Sequence, residues 1–64
     1  MGVLYLLSEG SSARKDGSRV IVEKDSKLVA RLPFRTLEGI EIGQHAHITT
    51  PTIFAMLEQK IPVV

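Results

Sequence analysis

Two histidines separated by one residue are the first candidates for chemistry in this sequence of 64 residues. They lie in the stretch QHAHIT as His45 and His47, and residues two apart on a strand face the same way, so both imidazoles could bind one metal ion. Such a site needs one or two further ligands. Glu41 would share a strand face with the two histidines, but the break at Gly43 separates it from them. Because there is also no cysteine, we expect no metal site here and interpret the histidines as a polar rim before a helix.

Carboxylate pairs suited to acid–base catalysis occur only as close neighbours in the sequence, Glu38 with Glu41 and Glu23 with Asp25. Basic residues are near both pairs, which favours their interpretation as solvated surface charges. No serine or threonine has a nearby His–Asp partner, and no glycine-rich phosphate loop is present. We therefore expect no catalytic residue in this chain.

A group of basic residues, Arg14, Lys15 and Arg19, flanks the dipeptide Asp16-Gly17. A hairpin with such a tip could lie along a nucleic-acid backbone, because lysine and arginine contact phosphates regardless of base sequence. The alternative is protection, since charged hairpins and strand edges discourage aggregation between sheets. The residues alone favour protection, and the three side chains remain the candidate DNA contacts.

The stretch VLYLL, residues 3–7, poses a different question because it is apolar on both alternating faces. This pattern predicts a strand that is covered on both sides. So small a domain has little core with which to cover the second face, so either another layer of the same chain or another subunit must do so. Val3, Tyr5 and Leu7 are therefore the candidate dimer interface.

Length and composition limit the remaining possibilities. A chain of 64 residues is one domain at most, and a core of this size supplies about 3–5 kcal/mol, so a further support is usual. Without cysteine, that support is association or the rest of a longer protein. The net charge of +1 is far from that of a strongly basic nucleic-acid-binding domain, and no apolar run is long enough to cross a membrane. We expect a soluble cytoplasmic protein with no membrane partner.

The first half of the chain predicts short strands. Asp16-Gly17 predicts a type I′ hairpin turn that pairs residues 12–15 with 19–23. The next strand, residues 27–32, should point Leu28, Ala30 and Leu32 inward, and Pro33 should end it because proline cannot donate to a ladder. A tight turn after Pro33 should place Phe34 and Leu37 on the core, and GIEIG should form another short strand.

The second half predicts one helix between strands. Thr50 suits its N-cap and Pro51 its first turn, and an apolar stripe follows at helical spacing. That stripe comprises Ile53, Met56 and Leu57, widened by Phe54. Pro62 should stop the helix before Ile61, and IPVV then begins a strand, which indicates a piece of a larger protein. The predicted fold is mainly β (α+β), a small antiparallel β-sandwich of about six short strands with one capping helix near the C-terminus.

The order and spacing of these patterns resemble the N-terminal β-domain of the CRISPR-associated spacer-acquisition integrase, the first of the Cas proteins. The run LYLLSEGSSARKDGSRVIVEKDSKLVARLPFRTLEGIEIG resembles that family's LYV strand, glycine-bearing bend, hairpin into VVEKDG, IPL stop and LEGI…G segment. The ending HITTPTIFAMLEQKIPVV resembles its ITxxALxxLLxxGIPVV helix and strand. The resemblance covers essentially all 64 residues.

The resemblance implies that residues 1–64 are the β-domain of a longer protein and that the helical catalytic domain is absent from this chain. In the family, that second domain carries the Glu, His and Asp that bind a catalytic divalent metal, magnesium or manganese. The full-length protein would be a metal-dependent DNA endonuclease and integrase that inserts spacers into a CRISPR array with a second Cas protein. Neither His45 nor His47 matches the family's metal-ligand histidine, so this chain would hold no cofactor.

In the family, the β-domain forms the homodimer and part of the saddle on which duplex DNA rests. Some members place an aromatic wedge after the first strand, where this chain has SEGSS, and most have glycine where this chain has Lys60. The resemblance therefore implies a non-catalytic module for dimerisation and DNA cradling. The alternative is an unrelated small dimeric β-rich domain that binds nucleic acid or another protein.

Overall fold

Six strands and one helix make up the computed structural model of this chain, which describes residues 2–64. The predicted mainly-β fold with one helix near the C-terminus is confirmed, and the strands form two sheets. The elements are β1 (Gly2–Leu6), β2 (Ser11–Asp16), β3 (Arg19–Lys24), β4 (Lys27–Pro33), a 3₁₀ turn (Phe34–Thr36), β5 (Leu37–Ile42), β6 (His47–Ile48) and α1 (Thr50–Glu58).

The smaller sheet corrects the prediction that all strands are antiparallel. Strand β1 pairs with β5 in parallel, and residues 62–64 add to the other side of β5, also in parallel. The Ile40 amide donates to the Pro62 carbonyl at 2.9 Å, and the Val64 amide donates to the Ile40 carbonyl at 2.9 Å. The strand predicted at IPVV thus begins where expected. Side-chain alternation predicts a strand but contains no information on its direction relative to a neighbour.

The larger sheet has the strand order β4-β3-β2-β6. Its first three strands are antiparallel and are joined by two hairpins, the first of which was predicted from the sequence, whereas β6 runs parallel to β2. β6 was not predicted, because two residues are too few for an alternating pattern. Since β6 leads directly into α1, this short pairing positions the start of the helix beside β2.

The two hairpin turns of this sheet differ in type. Asp16 pairs with Arg19, so the central residues of the first turn are Gly17 and Ser18, and only Gly17 has positive φ, at 60°. A glycine in that first central position characterises a type II′ turn, so the predicted type I′ turn at Asp16-Gly17 is wrong. The type I′ turn lies between β3 and β4, where Asp25 and Ser26 have φ of 51° and 66°.

A β-bulge in β4 overturns one prediction about the core. Val22 pairs with Ala30 but Glu23 pairs with Leu28, so Val29 is the extra residue on β4. The extra residue reverses the alternation, because side chains in a strand change face at every residue. Ala30 packs against the core as predicted, whereas Leu28 is 48% exposed rather than inward.

Both sheets and the helix contribute to one hydrophobic core. Phe34 is 1% exposed, and Leu37 packs against the same cluster, which confirms that the turn after Pro33 places both on the core. Phe34 belongs to this shared core and lies in the 3₁₀ turn that connects β4 of the larger sheet to β5 of the smaller one. The buried members are Leu6, Ala13, Val20, Val22, Phe34, Ile40, Ala55, Met56 and Ile61.

Helix α1 begins one residue earlier than predicted and buries a different face. Its N-cap is Thr49, whose Oγ1 lies 2.6 Å from the Oγ1 of the buried Thr52. The buried face comprises Thr52, Ala55 and Met56, so only Met56 of the predicted apolar stripe belongs to it. The other side of the helix is also apolar, and its larger side chains remain outside: Phe54 is 60% exposed. The small residues face β2 because they permit close approach of the helix to the sheet, which periodicity alone does not reveal.

Among residues 2–64, no helix is long and apolar enough to cross a membrane.

The C-terminus of α1 is closed by a Schellman motif. The Ile61 amide donates to the Met56 carbonyl at 2.8 Å, and the Lys60 amide donates to the Leu57 carbonyl at 3.1 Å. Lys60 has the left-handed φ of 58° that this motif requires, and Ile61 is buried beside Met56. The helix therefore stops before Ile61, as predicted.

Lys60→Gly is expected to raise the free energy of unfolding by about 1 kcal/mol. The left-handed conformation brings the Cβ of an L-residue close to its carbonyl oxygen, and glycine removes this strain. Urea denaturation at a fixed protein concentration measures the change. Gln59→Gly is the matched control, because Gln59 has φ of −94° and should lose stability on the same substitution. A Lys60→Gly variant less stable than the parent would contradict the prediction.

Candidate functional surfaces

The predicted basic residues lie at the tip of the β2–β3 hairpin but not on one face of it. Arg14 is opposite Ile21, and Arg19 is two residues before Ile21, so Arg14 and Arg19 share the outer face of the sheet. Lys15 is adjacent to Arg14 on the strand, so it lies on the opposite face of the sheet, the face that the buried Ala13 shares. Only the exposed end of the hairpin can therefore present Lys15 and Arg19 together.

Arg14 differs from the other two because its charge already has a partner. Its Nε donates to Oε1 of Glu23 at 3.1 Å across the strand pair, and the side chains of Arg14 and Glu23 are 51% and 25% exposed. An ion pair this exposed contributes less than about 1 kcal/mol to stability. It nevertheless places a carboxylate beside the guanidinium and reduces the positive potential there.

The outer face also contains one buried apolar residue, Ile21. It is 3% exposed but does not belong to the core cluster. Its cross-strand neighbours are Arg14 on β2 and Arg31 on β4, whose aliphatic stems are in position to cover it. Alternation along β3 puts Ile21 on the same face as Glu23, whereas Arg31 is brought alongside only by the pairing of β3 with β4 and was not identified from the sequence.

Arg35 is a second basic residue that the sequence analysis missed. The Phe34 amide donates to the Ser18 carbonyl at 3.0 Å, so the 3₁₀ turn lies directly against the hairpin turn. Arg35, the next residue, is exposed there. Ser18 and Phe34 are far apart in the sequence, and no local pattern indicates that they are in contact.

Strand β1 exposes one complete apolar face. Val3, Tyr5 and Leu7 are 47%, 60% and 54% exposed, while the alternate residues pack toward the core. Among residues 2–64, no layer of the same chain covers this face, which leaves cover by another subunit as the prediction. β1 is also the outermost strand of its sheet, so its edge is open as well as this face, which Leu7 continues just beyond the end of the strand. We call Val3, Tyr5 and Leu7 the β1 stripe.

A neighbouring residue of the larger sheet extends this apolar surface. The exposed Val29 lines the same cleft as Tyr5 and Leu7, beside the buried Leu6. Val29 is the residue added by the bulge in β4, so the irregularity that exposes Leu28 also places a branched apolar side chain near the β1 stripe. The sequence did not predict this contribution, because the bulge is not visible in the alternation.

The structure separates the two histidines, and it separates Glu38 from Glu41 in one of the carboxylate pairs considered above. His45 lies in a turn with its Nε2 3.3 Å from Nε2 of the adjacent Gln44, whereas His47 lies in β6, so the two histidines do not share a strand face. Glu38 and Glu41 are three apart on β5 and point to opposite faces. Within residues 2–64, no three His, Asp or Glu side chains are grouped closely enough to hold a metal ion.

A family model described as "CRISPR associated protein Cas1" matches residues 4–64 of this chain. A curated protein of Thermus thermophilus, "CRISPR-associated endonuclease Cas1 1", is 27% identical over 60 residues, which cover 94% of this chain and 19% of that relative. The chain therefore spans about a fifth of the length of this relative.

Two solved structures contain a chain in which one part has the same fold. One is titled "Partial Cas6-RT-Cas1--Cas2 complex" and matches 98% of this chain and 19% of its own, with a TM-score of 0.84 and 26% identity. The other, "Cas6-RT-Cas1--Cas2 complex", matches 98% of this chain and 7% of its own, with a TM-score of 0.87 and 25% identity. The family match begins within β1 and continues through α1 to residue 64, and this chain belongs to the Cas1 family of CRISPR-associated proteins.

Proposed function

We propose that this chain is the non-catalytic β-domain of a CRISPR adaptation integrase, and that it pairs with a second copy and supports duplex DNA. The observation that carries the proposal is the extent of the family match, which includes residues 4–64. The stretch aligned with the Thermus relative is only 19% of that protein, so this chain corresponds to one part of it. Membership of the Cas1 family excludes the alternative of an unrelated β-rich domain.

The chemistry is proposed to belong to a longer protein of which this chain is one part. The Thermus relative is named an endonuclease, and both structural relatives come from complexes that also contain Cas2. On this basis, the full-length protein would be a divalent-metal-dependent DNA endonuclease and integrase that acts with a second Cas protein in a prokaryotic cytoplasm. Residues 2–64 do not fit a magnesium or manganese ion, since no three potential ligands among them are grouped. We therefore derive no catalytic step from them.

Two surfaces support the roles proposed for this domain. The β1 stripe is an uncovered apolar face at the edge of a sheet, which suits association with another copy. The hairpin tip presents lysine and arginine, the residues that contact DNA phosphates without regard to sequence. Because the net charge is only +1, the contribution of this domain to DNA affinity should be small and its salt dependence shallow.

The isolated chain is expected to bind a short labelled DNA duplex weakly, without sequence preference, and to leave that DNA intact in the presence of magnesium or manganese. Fluorescence anisotropy measures the binding, and electrophoresis of the same samples measures the cleavage. Binding should arise from the basic hairpin, and cleavage should be absent because residues 2–64 contain no grouped metal ligands.

A preparation from cells carrying the empty vector controls for contaminating nuclease. Cleavage that follows this chain through purification and stops on addition of a chelator would show that it is catalytic and would overturn the proposal. Failure to bind DNA even at low salt would remove the DNA-supporting part of the proposal and leave the dimerisation part to be tested separately.

A further inference from the structure

The end of the larger sheet that contains the first hairpin turn has more positive charge than the chain as a whole. Lys15 and Arg19 lie on either side of this turn, and the adjacent 3₁₀ turn adds Arg35, all three of them exposed. Asp16 is the acidic residue among them. These four side chains carry a net charge of +2, whereas the whole chain carries +1, so the rest of the molecule sums to −1.

The backbone fixes the position of these cations. Arg19 pairs with Pro33 across β3 and β4, and the hydrogen bond from Phe34 to Ser18 holds the 3₁₀ turn against the hairpin turn. Phe34 is buried in the core, so the backbone that carries Arg35 is anchored one residue away. Rigid elements lower the entropy lost when a side chain binds a ligand, which makes this end better suited to binding than a free loop.

Arg14 lies farther along the strand and is electrostatically different. Its guanidinium donates to Glu23, so an incoming phosphate would have to compete with a carboxylate 3.1 Å away. In the described part of the chain, no ion pair of 4.0 Å or shorter involves Lys15, Arg19 or Arg35. The three unpaired cations gain a charge-assisted hydrogen bond by contacting a phosphate, while Arg14 would exchange one such bond for another.

We propose that the basic end of the sheet, defined as Lys15, Arg19 and Arg35, is the part of this domain that contacts the DNA backbone, and that Arg35 binds a phosphate whereas Arg14 does not. This inference rests on the DNA-supporting function proposed above. The sequence indicated Arg14, Lys15 and Arg19 as DNA contacts. The inference removes Arg14 from that set and adds Arg35, which lies in the 3₁₀ turn.

The test compares single glutamine variants of the 64-residue chain, in which the side chain stays polar and loses its charge. Arg35→Gln is the test variant, Arg14→Gln tests the ion-paired residue, and Lys27→Gln is the matched control. Lys27 is exposed at the start of β4, at the end of the sheet opposite the basic end. Anisotropy of a labelled DNA duplex gives the association constant between about 50 and about 200 mM salt. The logarithm of the association constant is plotted against the logarithm of the salt concentration. The slope of this plot becomes shallower by about 0.9 for each phosphate that a variant no longer neutralises.

Arg35→Gln should make this slope shallower by about 0.9, and Arg14→Gln and Lys27→Gln should leave it unchanged. Circular dichroism of each variant establishes that it is folded. If Arg14→Gln reduces the slope and Arg35→Gln does not, or if Lys27→Gln reduces it as much as Arg35→Gln, the assignment to the basic end is wrong while DNA binding stands. If the parent chain does not bind the duplex at all, both this inference and the DNA-supporting function fail.

Discussion

Tyr5→Lys is expected to convert a homodimer of this chain into a folded monomer. Tyr5 is 60% exposed at the middle of the β1 stripe, with Val3 and Leu7 on either side along the strand. An apolar face at an open sheet edge is stabilised by burial against a second copy, and a closed two-fold pair is the commonest arrangement. A lysine at the centre of that interface would be buried without a partner for its charge, so the dissociation constant should rise at least about tenfold, which corresponds to about 1.4 kcal/mol.

A dimer of standard size needs a larger surface than the β1 stripe. An interface of standard size buries about 800 Å² on each partner, roughly a fifth of the 4377 Å² that this chain exposes. The β1 stripe alone is too small, but Val29 lines the cleft next to Tyr5 and Leu7 and extends the apolar area onto the larger sheet. We therefore place Val29 in the proposed interface as well.

Sedimentation equilibrium over a range of concentrations measures the association of the parent and of each variant. Leu7→Lys should act in the same direction as Tyr5→Lys, because both side chains belong to the stripe. Phe54→Lys is the matched control, since Phe54 is as exposed as Tyr5 but lies on α1, and it should leave the dimer intact. A parent chain that remains a folded monomer into the high micromolar range would exclude this dimer, and dissociation by Phe54→Lys alone would move the interface to the helix.

The lysine substitutions could either unfold the chain or only dissociate the dimer, and the structure distinguishes these two outcomes. From the sequence, a two-faced apolar strand could lie in a core or in an interface, and a lysine there would unfold the chain in the first case. The structure places Tyr5 and Leu7 outside the core. We therefore expect their lysine variants to remain folded, with an unchanged free energy of unfolding once the contribution of dimerisation is removed.

Local features of the fold were predicted from the sequence where a single residue determines the backbone. Pro33 ends β4 because it has no amide hydrogen, and Pro62 prevents α1 from continuing. Alternation in β3 places Val20 and Val22 on one face, and in the structure that face packs on the core. These inferences needed only the residue itself and its nearest neighbours in the chain.

The incorrect predictions concern choices made by tertiary contacts. The parallel pairing of β1 with β5 depends on a crossover through three other strands, which no local pattern encodes. The exposure of Leu28 follows from a one-residue bulge, and a single added residue reverses every side chain beyond it. In α1, both sides are apolar, so the side that is buried was decided by how closely Ala55 and its neighbours approach β2.

The candidate surfaces follow the same division. The sequence identified Tyr5 because an apolar run is visible in one strand, and it identified Arg19 because the basic residues are adjacent to a turn signal. Arg35 is 16 residues beyond Arg19 and comes beside it only through the bond between Phe34 and Ser18. A residue joined to a site by a single tertiary hydrogen bond leaves no trace in spacing or composition.

Phe34→Ala is expected to have the largest effect on stability, with a loss of about 3–5 kcal/mol. Phe34 is 1% exposed in the core shared by both sheets, and the surrounding side chains belong to strands that cannot move inward without breaking their ladders. Since a core of this size supplies only about 3–5 kcal/mol, the variant should be largely unfolded at room temperature. Phe34→Leu retains most of the volume and should remain folded, with a smaller loss of about 1.5 kcal/mol or less.

The chain contains a second phenylalanine that serves as the control for this change. Phe54 is 60% exposed on α1, so Phe54→Ala removes the same atoms from a site where water already reaches them, and the change should stay within about 0.5 kcal/mol. Urea denaturation followed by circular dichroism, at one protein concentration for all variants, compares the two. Similar losses for Phe34→Ala and Phe54→Ala would show that the 3₁₀ turn does not anchor the core. The fixed position of Arg35 beside the hairpin turn would then lose its structural basis, because that position depends on the burial of Phe34.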